Sequence, residues 1–276
     1  MSEHVLIERR GHVMEITLNK PKVNAINHEM SKAVADAFVA FDIDDDLRVA
    51  ILTAAGDRIF SAGWDLKALD RGDAKLDEWW DDGDYGYGGF AGLTENWTMN
   101  KPVIAALNGL VIGGGFEIAM ACDMRFAALG KTKMNQMEVP IGIIPGGGGT
   151  QRLPSLVGYS RAAELILGGI DLDAQTGDDW GYFTRALPPE ELDDYVEWLA
   201  LRIASFDPAA VKGAKSSLLN SVPSLKNGLI NESQIFSDLC YSQDGQRSLR
   251  RFLELGGQTV EGELRISDLS AEVAKE

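Results

Sequence analysis

Residues 103–124 are the most apolar stretch of the chain, yet their composition forbids both one long helix and a membrane span. Asn108, Glu117 and Asp123 interrupt the run, and Gly113, Gly114 and Gly115 stand together in its middle. The pattern fits a buried strand over 103–107, a glycine turn, and a largely buried helix over 116–122. Backbone N–H groups at the start of such a helix point outward, and its dipole favours negative charge there. The rest of the chain must therefore supply a body that buries this unit on all sides.

That body reads as α/β. Residues 4–8 and 12–18 alternate around Gly11 as a β-hairpin does. Asn27 can cap a helix whose apolar positions Met30, Val34, Ala37, Phe38 and Phe41 follow helical spacing. Short apolar runs at 48–53 and 124–128 read as further strands. From about residue 188 the pattern turns helical, with helices expected over 188–205, 208–220, 225–240 and 245–254. The expected division is a core over 1–187, a helical region over 188–257 and a polar, loosely held tail over 258–276.

The 276 residues carry 26 Lys and Arg against 42 Asp and Glu, a formal net charge of -16. A field of that sign repels phosphate backbones and anionic membranes, so neither is an expected partner. A small anionic ligand in a locally basic pocket is still allowed. Cys122 and Cys240 are far apart, and His4, His12 and His28 all lie near the N-terminus, so no metal site is expected. The first twenty residues lack the apolar core of a signal peptide, and a cytoplasmic location is the expectation.

Residues 70–84 hold seven Asp or Glu against Arg71 and Lys75, with Trp79 and Trp80 inside and Tyr85 and Tyr87 just beyond. The segment reads either as a solvated loop or as a lid with an aromatic face.

A second glycine run, 146–149, follows Pro145 and precedes another helix. Neither glycine site is a Walker loop or a dinucleotide fingerprint. Each reads equally as a tight structural turn or as a ligand cradle. Glu117 and Glu138 are conspicuous because their neighbours are apolar: Phe116, Ile118 and Ala119 for one, Met137, Val139 and Ile141 for the other. Buried carboxylates are costly unless paired or functional. Two beside glycine-rich donors suggest acid–base chemistry on a substrate whose oxygen becomes negative.

FSAGWDLK (60–67), NKPVIAALNGLVIGGGFEIAMACD (100–123) and MEVPIGIIPGGGGTQRL (137–153) resemble signature segments of the crotonase, or enoyl-CoA hydratase/isomerase, superfamily. LNKPKVNAIN (18–27) is similar to its N-terminal segment, and the register holds over about 5–255. FSAGWDLKA (60–68), with Trp64 where most relatives carry Ala, and GGFAGLTE (88–95) resemble the carnitinyl-CoA dehydratase subgroup.

The resemblance implies a spiral of repeated ββα turns with a helical C-terminal trimerisation region. The implied reaction is reversible syn hydration of a 2-enoyl-CoA thioester, with the acyl group crotonobetainyl in the subgroup. Coenzyme A enters as part of the substrate, and no separate cofactor is implied. The N–H groups of Trp64 and Gly114 would form the oxyanion hole. Glu117 would act as base towards a water, Glu138 would exchange the α-proton, and Gly146 would donate to that water. Ala62, Asp65, Leu66 and Lys67 would line the CoA pocket, with Lys22 and Ala25 on its adenine side. Homotrimers, or dimers of trimers, are the implied assembly.

The sequence departs from the family pattern in two places. Phe252 is followed by Leu253, Glu254 and Leu255 rather than by a basic cluster that reaches a neighbour's CoA, and residues 173–183 diverge. A Δ3-Δ2 isomerase, a thioester hydrolase on the same fold and a non-catalytic scaffold are the rival readings. Isomerases usually keep only the second glutamate, so Glu117 favours hydration.

Overall fold

The computed structural model describes residues 3–71, 88–96, 99–221 and 226–273. The aromatic positions of the expected lid, Trp79, Trp80, Tyr85 and Tyr87, lie outside them.

Strands β1 (Val5–Arg10) and β2 (Val13–Leu18) form the antiparallel hairpin that Gly11 turns. Helix α1 (His28–Ile43) begins at Asn27, whose side chain accepts from Met30 N at 3.0 Å. Three ββα units follow. The first is β3 (Val49–Ala54), β4 (Ile59–Ser61) and α2 (Leu66–Asp70). The second is β5 (Val103–Leu107), β6 (Leu110–Ile112) and α3 (Gly114–Ala121). The third is β7 (Met124–Ala128), β8 (Lys133–Asn135) and α4 (Gly149–Val157). Helix α5 (Tyr159–Gly168), strand β9 (Leu172–Asp173), helix α6 (Ala174–Asp179) and strand β10 (Arg185–Leu187) close this part.

Each unit puts its first strand in a six-stranded sheet, ordered β1-β2-β3-β5-β7-β10, and its second in a four-stranded sheet, ordered β4-β6-β8-β9. Pairing from β2 to β10 and from β4 to β8 is parallel, so the chain advances as a spiral of ββα turns. The two-residue period of strands divides the burial. Ala50, Leu52, Ala105 and Leu107 face the main core, while Val49, Ile51, Ile104 and Ala106 pack against a helix on the other face.

That helix is α7 (Pro189–Ala204), through Leu192, Val196, Ala200 and Ala204. Beyond it come α8 (Pro208–Asn220), α9 (Lys226–Tyr241) and α10 (Gln243–Glu254), matching the helical run in the sequence. Among the described residues, no helix is long and apolar enough to cross a membrane.

The expectation of a loose tail fails. Helices α11 (Val260–Leu264) and α12 (Ile266–Val273) follow, and Ile266, Leu269 and Val273 are buried in the main core. A polar composition concealed a short amphipathic helix with one apolar stripe. Phe252 is likewise buried within its own chain.

Glu263 of α11 is almost wholly buried, with its Oε1 accepting from Gln258 N at 2.7 Å. Burial pushes its carboxyl up to about 7, against the pull of that N–H and of Lys67. A raised folded-state value means that its stability contribution is full below the unfolded carboxyl value and lost as pH rises through about 7. Glu263→Gln is therefore expected to gain on the wild type by up to about 3 kcal/mol between pH 5 and pH 8 in urea unfolding. An unchanged difference between the two proteins across that window would contradict the assignment.

Candidate active site

The glycines at 113–115 close β6 onto α3, with Gly113 at φ 53° as the residue before the helix. Gly114 is the first helical residue, so its N–H has no acceptor one turn back. Across from it, the 62–65 segment is held to the loop before α1: Ile26 N donates to Gly63 O at 2.7 Å, and Asp65 N to Ile26 O at 3.0 Å. Gly63, at φ 76°, brings the two segments together. A Cβ there would stand 2.6 Å from Gly114 N and 2.7 Å from Ile112 O. The N–H groups of Trp64 and Gly114, far apart in sequence, thus come to one place.

Beneath them lies a cavity of about 40 Å³ lined by Trp64, Phe90, Gly114, Glu117, Glu138 and Gly146, among others. That is room for water between polar groups. Glu117 and Glu138 are both buried here, as their apolar neighbours in sequence foretold. Glu117 Oε1 accepts from Gly147 N at 2.7 Å and from Gly149 N at 2.8 Å. The second glycine run is therefore both a turn and a cradle, holding carboxylates of the protein itself.

The two glutamates are treated differently by their surroundings. Burial raises the Glu117 carboxyl, but the N–H groups of Gly149, Gly147 and Gly146 and the guanidinium of Arg152 pull it back. Glu138 is raised well above the usual range by burial first and by the Glu117 charge second. Among the described residues its Oε2 has no hydrogen-bond partner. The glycine N–H groups and Arg152 thus favour the charged form at Glu117, while burial and the Glu117 charge favour the neutral form at Glu138.

The expected CoA strip is only partly drawn together. Ala62 and Leu66 are buried and line the cavity. Asp65 caps α2 through Ala68 N and pairs with Lys20, whose Nζ is 2.9 Å from Asp65 Oδ2 and 2.8 Å from Ala25 O. Lys20 was missed in the sequence. Its ammonium offsets the charge of the Asp65 carboxylate. Lys22 is exposed on the loop before buried Ala25, and Lys67 is exposed and donates to Gln258 O at 3.0 Å.

Glu232, Phe236 and Gln258 were also missed. Glu232 and Phe236 sit on α9, where Leu229, Glu232, Ser233 and Phe236 share one buried face at helical spacing. An acid inside that stripe was the available signal. Gln258 Nε2 donates to Trp64 O at 2.6 Å, bracing the 62–65 segment from the C-terminal end of the chain. Among the described residues, no three His, Cys, Asp or Glu side chains are grouped to hold a metal ion.

The chain is similar to known proteins. Residues 8–262 match the family model described as enoyl-CoA hydratase/isomerase. A carnitinyl-CoA dehydratase of Salmonella arizonae is 43% identical over 215 residues, 78% of this chain and 80% of that protein. The crystal structure of a carnitinyl-CoA hydratase from Mycobacterium avium superposes with a TM-score of 0.83 at 30% identity, covering 94% of this chain and 98% of the other. An enoyl-CoA hydratase from Mycobacterium tuberculosis H37Rv superposes with a TM-score of 0.74 at 27% identity, covering 87% and 100%.

Proposed function

The chain belongs to the enoyl-CoA hydratase/isomerase family as a hydro-lyase, and we propose that Glu117 and Glu138 carry its hydration of a 2-enoyl-CoA thioester. The observation that carries this reading is two buried carboxylates on one cavity, both raised by burial but Glu117 alone held by the glycine-turn N–H groups, beneath two converging backbone N–H groups.

The thioester oxygen accepts from the N–H groups of Trp64 and Gly114, which stabilise it as it becomes an enolate. Glu117 takes a proton from water as its oxygen attacks the β-carbon. Glu138 gives its proton to the α-carbon from the same side, so addition is syn. Dehydration runs the same steps in reverse. The CoA moiety lies along Ala62, Asp65, Leu66 and Lys67, with Lys22 and Ala25 towards the adenine, and Gly146 N–H holds the water. The thioester is the only group the step requires beyond the protein and water. The chain assembles as a trimer or a dimer of trimers, in keeping with its family.

For the acyl group we propose crotonobetainyl, as the names of the relatives suggest. Trp64 and Phe236 present rings 5.6 Å apart and tilted by 58° at the cavity, with Phe90 on the same wall. Desolvated aromatic faces attract a quaternary ammonium by about 2 kcal/mol. The wild type should therefore prefer crotonobetainyl-CoA to crotonyl-CoA by about 30-fold in kcat/KM, read as loss of enoyl-thioester absorbance. A crotonyl preference would remove the betaine assignment and leave hydration standing. Absence of turnover on both, in a preparation sedimenting as three or six chains, would remove the hydratase reading itself.

A further inference from the structure

Glu232 is a third carboxylate at this site, and hydration as described above does not use it. It reaches in from α9 and is 1% exposed. Its Oε1 accepts from Gly148 N at 2.6 Å, and its Oε2 from Thr150 N at 2.7 Å and from the Thr150 hydroxyl. Glu117 Oε1 takes Gly147 N and Gly149 N. The four consecutive N–H groups at the start of α4 thus alternate between two carboxylates, odd positions to Glu117 and even positions to Glu232.

The rest of α9 follows the same turn. A Cβ on Gly146 would be 2.7 Å from the Phe236 ring, and one on Gly148 would be 3.0 Å from Leu229 Cδ2. Leu229, Glu232 and Phe236 lie on one helix face, so α9 holds the turn at three successive points. The charged groups facing Glu232 are Glu117 from α3, Glu138 from the segment after β8, and Arg152 from α4. Arg152 donates to Gly147 O at 3.0 Å and to Thr94 O at 2.6 Å, closing the other side of the turn.

A buried N–H without an acceptor costs about 1–3 kcal/mol, so it will take whatever acceptor is within reach. Without Glu232, the Gly148 and Thr150 N–H groups would turn towards the other buried carboxylate nearby, Glu117. We propose that Glu232 is a positioning residue for Glu117: by taking the Gly148 and Thr150 donors it keeps them off Glu117 and leaves one Glu117 oxygen for the proton of water. The proposal rests on Glu117 being the base. It predicts that Glu232 touches no substrate and acts only through Glu117.

The test is a double-mutant cycle with Glu232→Gln and Glu117→Gln on crotonyl-CoA hydration. A glutamine at 232 would set its amide donors against the Thr150 or Gly148 N–H. In the wild-type background kcat should fall by about tenfold or more while KM stays within about threefold. In the Glu117→Gln background the residual rate should change by less than about threefold. Equal losses in both backgrounds, a change in KM alone, or no loss would each overturn the proposal. Near-wild-type turnover by Glu117→Gln alone would overturn the base assignment, and this proposal with it. If Glu232→Gln does not fold, Thr150→Val removes one donor to Glu232 at nearly constant volume. It should lower kcat severalfold only where Glu117 is intact, and equal losses or none overturn the proposal in the same way.

Discussion

Glu117→Gln and Glu138→Gln are each expected to lower kcat for hydration by about 10²–10⁴, the span of a positioned acid or base. Acyl-CoA binding should survive both. Each glutamine keeps the volume of the glutamate, and at 117 its carbonyl can still accept from Gly147 N and Gly149 N, so the turn is retained. The losses arise differently. Glu117→Gln removes the group proposed to take the water proton. Glu138→Gln removes the proposed proton donor, whose carboxyl is raised by burial and by the charge of Glu117. Stopped-flow turnover and an isothermal binding measurement with a non-hydratable acyl-CoA would separate rate from affinity. Turnover near wild type in either variant would show that its assigned role is wrong.

The second large effect is expected from Gly114→Ala. The added methyl would lie 2.8 Å from Phe90 Cε1 and 3.3 Å from Trp64 N, which puts it at the mouth of the paired N–H groups. Phe90 is almost fully buried and has little room to withdraw. A thioester oxygen can then no longer sit between the Trp64 and Gly114 donors, and kcat/KM should fall by about 10²–10³. Gly213→Ala, in α8 with nothing within 4 Å of its Cβ, is the matched control and should leave activity unchanged. A Gly114→Ala enzyme with full activity would mean that the oxyanion is held elsewhere.

The legible parts of the fold were those set by neighbours along the chain. The 103–107 strand and the glycine entry to α3 could be read because burial, turn geometry and helix start all fall within twenty residues. The Asn27 cap was legible for the same reason, since its acceptor and its donor are three residues apart. The tail beyond residue 257 was misread. Its apolar residues, Ile266, Leu269 and Val273, are few, and only the core behind α12 makes their spacing matter.

By itself the sequence determined the first strand of each ββα unit, the two acidic residues set among apolar neighbours, and the glycines that let backbone approach backbone; the ββα repeat itself came only through the family resemblance. Those follow from local rules: a period of two in strands, 3.6 in helices, and the absence of a Cβ where one would collide. The tertiary structure alone decided what those groups meet. Lys20 pairs with Asp65 across 45 positions, Glu232 holds Gly148 N across 84, and Gln258 reaches Trp64 O across 194. No local propensity encodes such partners. Each arises because a buried polar group must find a mate wherever packing of the whole chain brings one within about 3 Å.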